Sequence, residues 1–439
     1  MADRFDVAIV GARCAGSPLA TMLARQGLSV CLLDRAHFPS ETPSTHMIQP
    51  CGVQMLDRLG VLDGILAAGA APLDRLTLVN DDVRIDATVD ATAQHPALCI
   101  RRVTLDALLV DAAGAAGAEV RTGSRVTQLI TDDGRVTGVQ TSSGPVHAGL
   151  VVGADGRHST VASCLGTREY HVTSPGKLYA WAYFEGVGNR NGHARLGRQG
   201  AVGFLSGPTD GDLYMAAVGI DMADQARFHA DRDTHFAAAI RMWPELADLL
   251  AGARRVGPIR VVANWHGYFR QSAGPGWVLV GDAGHFKDPA LGQGIADALR
   301  QTEKLATAIV DGLGNSNLDT SMQRWWRWRD RDAYEMYWYA RNAGAPGVTS
   351  ALITQTLRDI AADPDATRMF LQILNHDVRP SQLFTPARLA RAAARVFRHE
   401  PGRIVATVKE IVSAGRQNAR QGRQRRLRPP GMTDVAWQA

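Results

Sequence analysis

The 439-residue sequence predicts an α/β protein: a doubly wound nucleotide-binding domain, an inserted and mainly antiparallel sheet, and a C-terminal helical region. Three observations predict it. Strand, tight turn, helix and strand follow one another through FDVAIVG, ARCAG, SPLATMLARQG and LSVCLLDR, the pattern of a βαβ unit. Between Leu178 and Tyr268 the texture changes to alternating, aromatic-rich segments such as LYAWAYFEGV, AVGFLSGP and DLYMAAVGI, interrupted by one helix around Ala223 to Leu250. From Thr320 onward the periodicity is helical.

Each element has a local reason. Pro18 falls in the first helical turn, where its missing N–H does no harm, and Gly27 suits a helix C-cap. A polar loop, PSETPSTHMIQP, leads to a helix-like stretch from Val53 to Leu66 and a strand-like TLV. RRVTLDALLVDAAGAAG has the 3.6-residue period of a helix, and EVRTGSRVTQLIT and GRVTGVQTSSG read as strands joined by the turn DDGR. WVLVGDAG is a buried parallel-strand signature, followed by a glycine-rich loop and the helix IADALRQTEKLATAIVDGLG. Segments 1–75, 95–175 and 276–320 are therefore expected to build the nucleotide-binding domain, 76–94 and 176–275 a substrate domain, and 321–439 the helical region with a basic tail.

Composition narrows the class. With 45% apolar and 21% charged residues the chain is an ordinary globular one, and no apolar run reaches the ~18 residues of a membrane span. The start, MADRFDVAIVGA, lacks the pattern of a signal peptide, so a cytoplasmic location is expected. Five scattered cysteines show neither CxxC nor metal spacing, so no metal site is expected. The net charge of +5 is concentrated: from Pro386 to Arg428 twelve Lys/Arg face two acids, a local +10 that leaves the rest near −5. Arg388, Arg391, Arg395 and Arg398 share one helix face there, either a solvated face or a contact for an anionic membrane surface or acidic partner. No recognition motif accompanies the charge, so nucleic acid is not an expected partner.

Three motifs carry chemistry. In G-A-R-C-A-G, Gly11, Ala15 and Gly16 form a turn between strand and helix, and Asp34, followed by Arg35, ends the next strand 23 residues after Gly11. Such a turn seats a pyrophosphate on backbone N–H groups at a helix N-terminus while the distant carboxylate accepts ribose hydroxyls. Arg13 stands where that fingerprint has its middle glycine, either as a phosphate contact or as an obstruction. The second motif is G-A-D-G-R-H-S, Gly153 to Ser159, with Asp155; the third runs from Trp277 to Ile295 and delivers Asp282 to a Pro/Gly loop.

In order and spacing these three segments resemble the FAD-dependent monooxygenases of the para-hydroxybenzoate hydroxylase type, a group that also holds flavin-dependent halogenases and geranylgeranyl reductases. The resemblance covers roughly residues 5 to 310. It implies non-covalent FAD, with NADPH or NADH as transient electron donor. It places the first motif at the FAD diphosphate, Asp155 at the FAD and NAD(P)H face, and Asp282 on the ribityl hydroxyls. Gly294 and Ile295 would offer N–H groups to flavin N1 and O2, where negative charge gathers on reduction. Arg102, with Arg101 as its rival, matches the arginine of the diphosphate region, and Val126 the strand residue whose backbone meets adenine. Pro289 would lie at the flavin beside the substrate. His46, in the loop Ser44-Thr45-His46, is the other candidate active-site contact, with a surface polar role as its alternative. Lys287-Asp288, just before that proline, departs from the family pattern.

The subclasses sort in part. WWRWRDRD lacks the Ile-Pro of tryptophan halogenases, and His285 in GDAGH leans toward the hydroxylases over the reductases, which have GDAAG. The expected function is therefore an FAD-dependent, NAD(P)H-driven monooxygenase of an aromatic, polyketide-like or other apolar small molecule, reduced internally or by a separate flavin reductase. One alternative is a flavin-dependent reductase or dehydrogenase of a prenyl or polyene substrate. Another is a non-catalytic flavin-binding or membrane-peripheral protein. Tyr179, Trp181, Tyr183, Phe204, Tyr214, Trp265 and Tyr268 either line a pocket for a flat substrate or fill a core.

Overall fold

A computed structural model describes residues 3–88, 95–188 and 191–438, so the last part of the expected segment 76–94 lies outside the described residues. Strand Asp3–Val10 lies between Val30–Leu33 and Gly144–Gly153, parallel to both. Glu119–Arg121 extends this sheet in parallel on one side and Trp277–Leu279 on the other. These strands are runs of apolar residues because both of their faces are covered. Helices Gly16–Arg25, Arg102–Ala115 and Gly294–Gly314 bury Leu19, Leu105 and Leu299 in one core with the sheet residues Ile9, Leu32 and Val152. The hairpin Val126–Asp132 and Arg135–Thr141 and the short helix Thr160–Leu165 contribute to the core on the other side.

Among the described residues a second sheet holds seven strands, in the spatial order 254–262, 177–185, 214–221, 202–208, 193–199, 75–80, 83–88. All neighbours are antiparallel except 193–199 with 75–80. Alternation sorts its side chains: Leu178, Ala180 and Ala182 pack under helices on one face, while Trp181 and Tyr183 point to the other. Two expectations about helices change in detail. Val53 to Leu66 is two helices, Pro50–Arg58 and Leu62–Ala67, separated at Gly60, whose φ of 67° ends the first. The single helix around 223–250 is three, Gln225–Ala230, Arg232–Arg241 and Pro244–Leu249. Asp231 restarts the chain by accepting from the Thr234 N–H, and Pro244 opens the last segment.

The helical region begins with Leu318–Ala343, which sends Trp325 and Trp326 into the core of the first sheet. Ala351–Ala361, Pro364–Leu374, Pro386–His399 and Ile404–Arg425 follow. The basic stripe on Pro386–His399 is not simply a solvated face. Arg388 pairs with Asp363 at 3.4 Å and Arg395 with Asp359, so two of its four cations hold helix to helix while Arg391 and Arg398 remain exposed. Among the described residues no helix is long and apolar enough to cross a membrane, and no cluster of His, Cys, Asp and Glu could hold a metal ion.

Candidate active site

One cavity of about 1390 Å³ runs between the two sheets and out to the C-terminal helices. At one end Gly11, with φ of 104°, turns the chain from strand to helix. A Cβ on Gly11 would lie 2.4 Å from the Ala154 carbonyl oxygen, and one on Gly16 would lie 1.8 Å from that of Gly11. Only glycine permits this closeness, and it brings the N-terminus of Gly16–Arg25, which has no side-chain cap, to the cavity wall. Asp34 holds the turn shut: its two carboxylate oxygens accept from the N–H groups of Ala12 at 2.9 Å and Ala36 at 2.8 Å. Ala15, Asp34, Arg35 and Val126 all line this end.

Arg13 lines the cavity and does not stand free. Its guanidinium donates to Asp106 at 3.0 Å, to Ser40 at 3.1 Å and to Thr42, and its Nε lies 4.0 Å from Asp34. Asp106, with no exposed surface, also accepts two bonds from Arg102, at 2.8 and 2.9 Å. The two arginines of the Arg101–Arg102 doublet point to different places. Arg102 faces the cavity, whereas Arg101 turns away to Asp210, which accepts from its backbone N–H at 2.7 Å and its Nε at 3.0 Å. Sequence reasoning missed Asp106, although its place four residues after Arg102 on one helix face was the available signal.

Asp155 and Asp282 reach the same cavity from two parallel strand ends. One oxygen of Asp155 accepts from Thr160 and Val161 at 2.6 and 3.2 Å, while Oδ1 is buried without a partner. Burial raises its carboxyl above the ordinary carboxylate range. Asp282 is exposed where it lines the cavity. Desolvation pushes its carboxyl up to about 6, against the attraction of Arg102. Beyond it, Gly294 and Ile295 open the uncapped first turn of Gly294–Gly314, again aimed at the cavity.

Pro289 starts a short turn beside them, and the two charged residues before it part company. Lys287 is buried with Asp297 at 2.7 Å and Gln293 at 2.8 Å, and His376 approaches Asp297 at 2.9 Å from the C-terminal region. Asp288 accepts from the Tyr179 hydroxyl at 2.6 Å and the Ala290 N–H at 3.0 Å, and burial pushes its carboxyl up to about 6. Tyr179, Trp181 and Phe204 line this part of the cavity; Tyr183, Tyr214, Trp265 and Tyr268 do not. Ile353, Leu357, Phe370 and Phe384 extend the apolar wall from helices that sequence reasoning left without a role.

His46 needs correction on both of its expected roles. It is 1% exposed, bonds the Tyr183 hydroxyl at 2.7 Å and lies behind the wall that Ser44 and Thr45 line. Burial, with Arg102 and Arg101 nearby, lowers its imidazole to about 3, so it stays neutral. His285 is likewise buried, 4.5 Å from the Phe269 ring, and burial holds it well below its usual range.

Two uncapped helix N-termini, a turn that tolerates only glycine and two carboxylates at parallel strand ends belong to the dinucleotide-dependent oxidoreductases. The profile of the FAD binding domain family matches residues 4–324, and the chain belongs to that family. It is an FAD-dependent oxidoreductase. FAD fits the residues present, since the cradle has no room for a Cβ and the orphaned Asp155 oxygen is a buried acceptor at its edge. The chain is 28% identical to 6-methylpretetramide 4-monooxygenase of Streptomyces rimosus over 71% of its length and 77% of that protein's. It is also 28% identical to digeranylgeranylglycerophospholipid reductase 1 of Methanococcoides burtonii, over 74% and 80% respectively. The solved flavin-dependent brominase Bmp2 shares the fold, with a TM-score of 0.73 at 19% identity over 90% of this chain and all of that one.

Proposed function

We propose that this protein is an FAD-dependent, NAD(P)H-driven monooxygenase of a flat, aromatic or polyketide-like small molecule. The observation that carries this reading is the position of Asp288 and Tyr179. Next to Pro289, where the end of the cavity lined by Gly294 and Ile295 meets an aromatic wall, they form a hydrogen-bonded pair whose carboxyl is buried. The likeness to the Streptomyces monooxygenase supports it.

Bound FAD would supply the redox chemistry, including the activation of dioxygen. The chain's residues bind, orient and exclude water. Gly11, Ala15 and Gly16, with Arg102, would hold the diphosphate, Asp34 and Val126 the adenosine end, Asp282 the ribityl hydroxyls, and the N–H groups of Gly294 and Ile295 the pyrimidine edge of the flavin. Tyr179 and Trp181, which share one face of the second sheet, would pack against an apolar ring system. With its carboxyl pushed up to about 6, Asp288 can take a proton from an acidic substrate hydroxyl near neutral pH, and Tyr179 holds it in place.

A second reading, reduction of a prenyl or polyene chain, draws on the apolar extension through Ile353, Leu357, Phe370 and Phe384 and on the likeness to the archaeal reductase. Isotopically labelled dioxygen separates the two. The purified protein with NADPH and a tetracyclic aromatic polyketide should place one labelled oxygen atom in the product. Turnover of a polyprenyl compound under anaerobic conditions, with no label incorporated in air, would favour reduction instead.

A further inference from the structure

A surface helix normally turns its apolar stripe to the core. Ile404–Arg425 does the reverse. Its inner face is polar: Glu410 accepts from the Ser350 hydroxyl at 2.6 Å, the Gln421 carbonyl accepts from Tyr334 at 2.7 Å, and Ser413, Gln417 and Asn418 line the cavity. Its outer face carries Ile404, Val405, Val408, Ile411 and Val412, between 36% and 67% exposed. Their spacing of one, three, three and one residues puts them on a single arc, away from Glu410, Gln417 and Gln421. Along one edge of that arc run Lys409, Arg416, Arg420 and Arg423, which are exposed and form no ion pair among the described residues.

We infer that this helix docks the protein on a membrane surface bearing anionic lipid. An apolar arc edged by a row of cations matches the boundary between acyl chains and negative headgroups. The charge also argues against a second copy as the occupant, because two such helices face to face would bring together two segments of net charge +4. The cations of Pro386–His399 do not serve as well, since Arg388 and Arg395 are held internally by Asp363 and Asp359. The same helix then walls the cavity on one side and meets lipid on the other. This inference goes beyond the reaction proposed above and holds for either substrate class.

The test uses the FAD-loaded full chain in co-sedimentation with vesicles of phosphatidylcholine alone or mixed with phosphatidylglycerol. Binding to the mixed vesicles at low salt, weakened by salt and absent from phosphatidylcholine, is expected. Val408→Ser with Ile411→Ser should lose binding at every salt concentration. Replacing Lys409, Arg416, Arg420 and Arg423 by Gln should weaken it by at least about tenfold and remove the preference for the anionic lipid. All six residues are exposed, so flavin content should match the parent. A parent that ignores the mixed vesicles at low salt, or serine variants that bind as the parent does, would overturn the inference. So would a dimer in solution that Val408→Ser and Ile411→Ser dissociate, because a second copy would then cover the arc.

Discussion

Asp282 gives the sharpest test of the cofactor end, because its environment sets a pH at which FAD affinity should fail. In the protein without FAD, desolvation holds the carboxyl at about 6, with Arg102, Arg157 and Lys287 pulling it down and Asp297 pushing it up. If ribityl hydroxyls donate to it, FAD selects the ionised form, and at acid pH binding must first expel a proton. The sign follows: affinity is full above pH 7 and falls as pH drops through 6. With one linked proton the dissociation constant scales as 1 + 10^(pKa − pH), a weakening of about twofold at pH 6 and about elevenfold at pH 5. Fluorescence titration of apoprotein with FAD across this range reads it directly. Asp282→Asn should weaken binding by roughly 10- to 150-fold, the equivalent of ~1.5–3 kcal/mol, and flatten the profile. Two other carboxyls need controls, since Asp288 also sits at about 6 and burial raises Asp155. Asp288→Asn should leave the slope intact. A flat profile in the parent, or an undiminished slope in Asp282→Asn, would refute the reasoning.

Two further predictions follow from the contacts. Arg13→Gly restores the family glycine, yet it also cuts the bonds to Asp106, Ser40 and Thr42, so FAD should bind roughly five- to thirtyfold more weakly, for a loss of ~1–2 kcal/mol. Tighter binding in equilibrium titration would show that the side chain is an obstruction after all. At the other end, the Tyr179 hydrogen bond lowers the Asp288 carboxyl against the larger effect of burial. Tyr179→Phe should therefore move the acid limb of kcat/KM to higher pH by roughly one unit, and Asp288→Asn should abolish that limb; an unmoved limb in both variants would take the pair out of the reaction.

Most of the parallel sheet was legible because four of its five strands end just before residues whose chemistry is local: Gly11, Asp34, Asp155 and Asp282. Arg13 was legible as a departure but not as a contact, since its partners come from residues 40–42 and from Asp106 on another helix. His46 misled for a related reason. Its loop does pass the cavity, but His46 takes φ of 60° and its backbone N–H donates to Ser44 as its ring turns inward to Tyr183. Nothing in PSTHM announces a left-handed histidine. The wall formed by Phe370 and Phe384 was out of reach, because helix packing some eighty residues beyond the last motif brings it there.

Lys287 and Asp288 show how far pattern and geometry reach together. Side by side in the sequence they look like an ion pair placed in an active site, which would be self-neutralising and chemically inert. In a near-extended segment, however, consecutive side chains leave on opposite sides. Lys287 goes to Asp297 and Gln293 on the helix that follows, where His376 joins them and the cation holds the Asp297 carboxyl far below its usual range. Asp288 is thereby left without its neighbour's charge. It accepts from Tyr179 and the Ala290 N–H, and burial lifts its carboxyl against the pull of these bonds and of the more distant Lys177 and Arg198. The lysine thus has a structural use, holding Gln293 and Asp297, which in turn tie the start of Gly294–Gly314 to Ile373, Leu374 and His376 of the C-terminal region. Its commitment there leaves the adjacent acid able to exchange a proton with what enters the cavity.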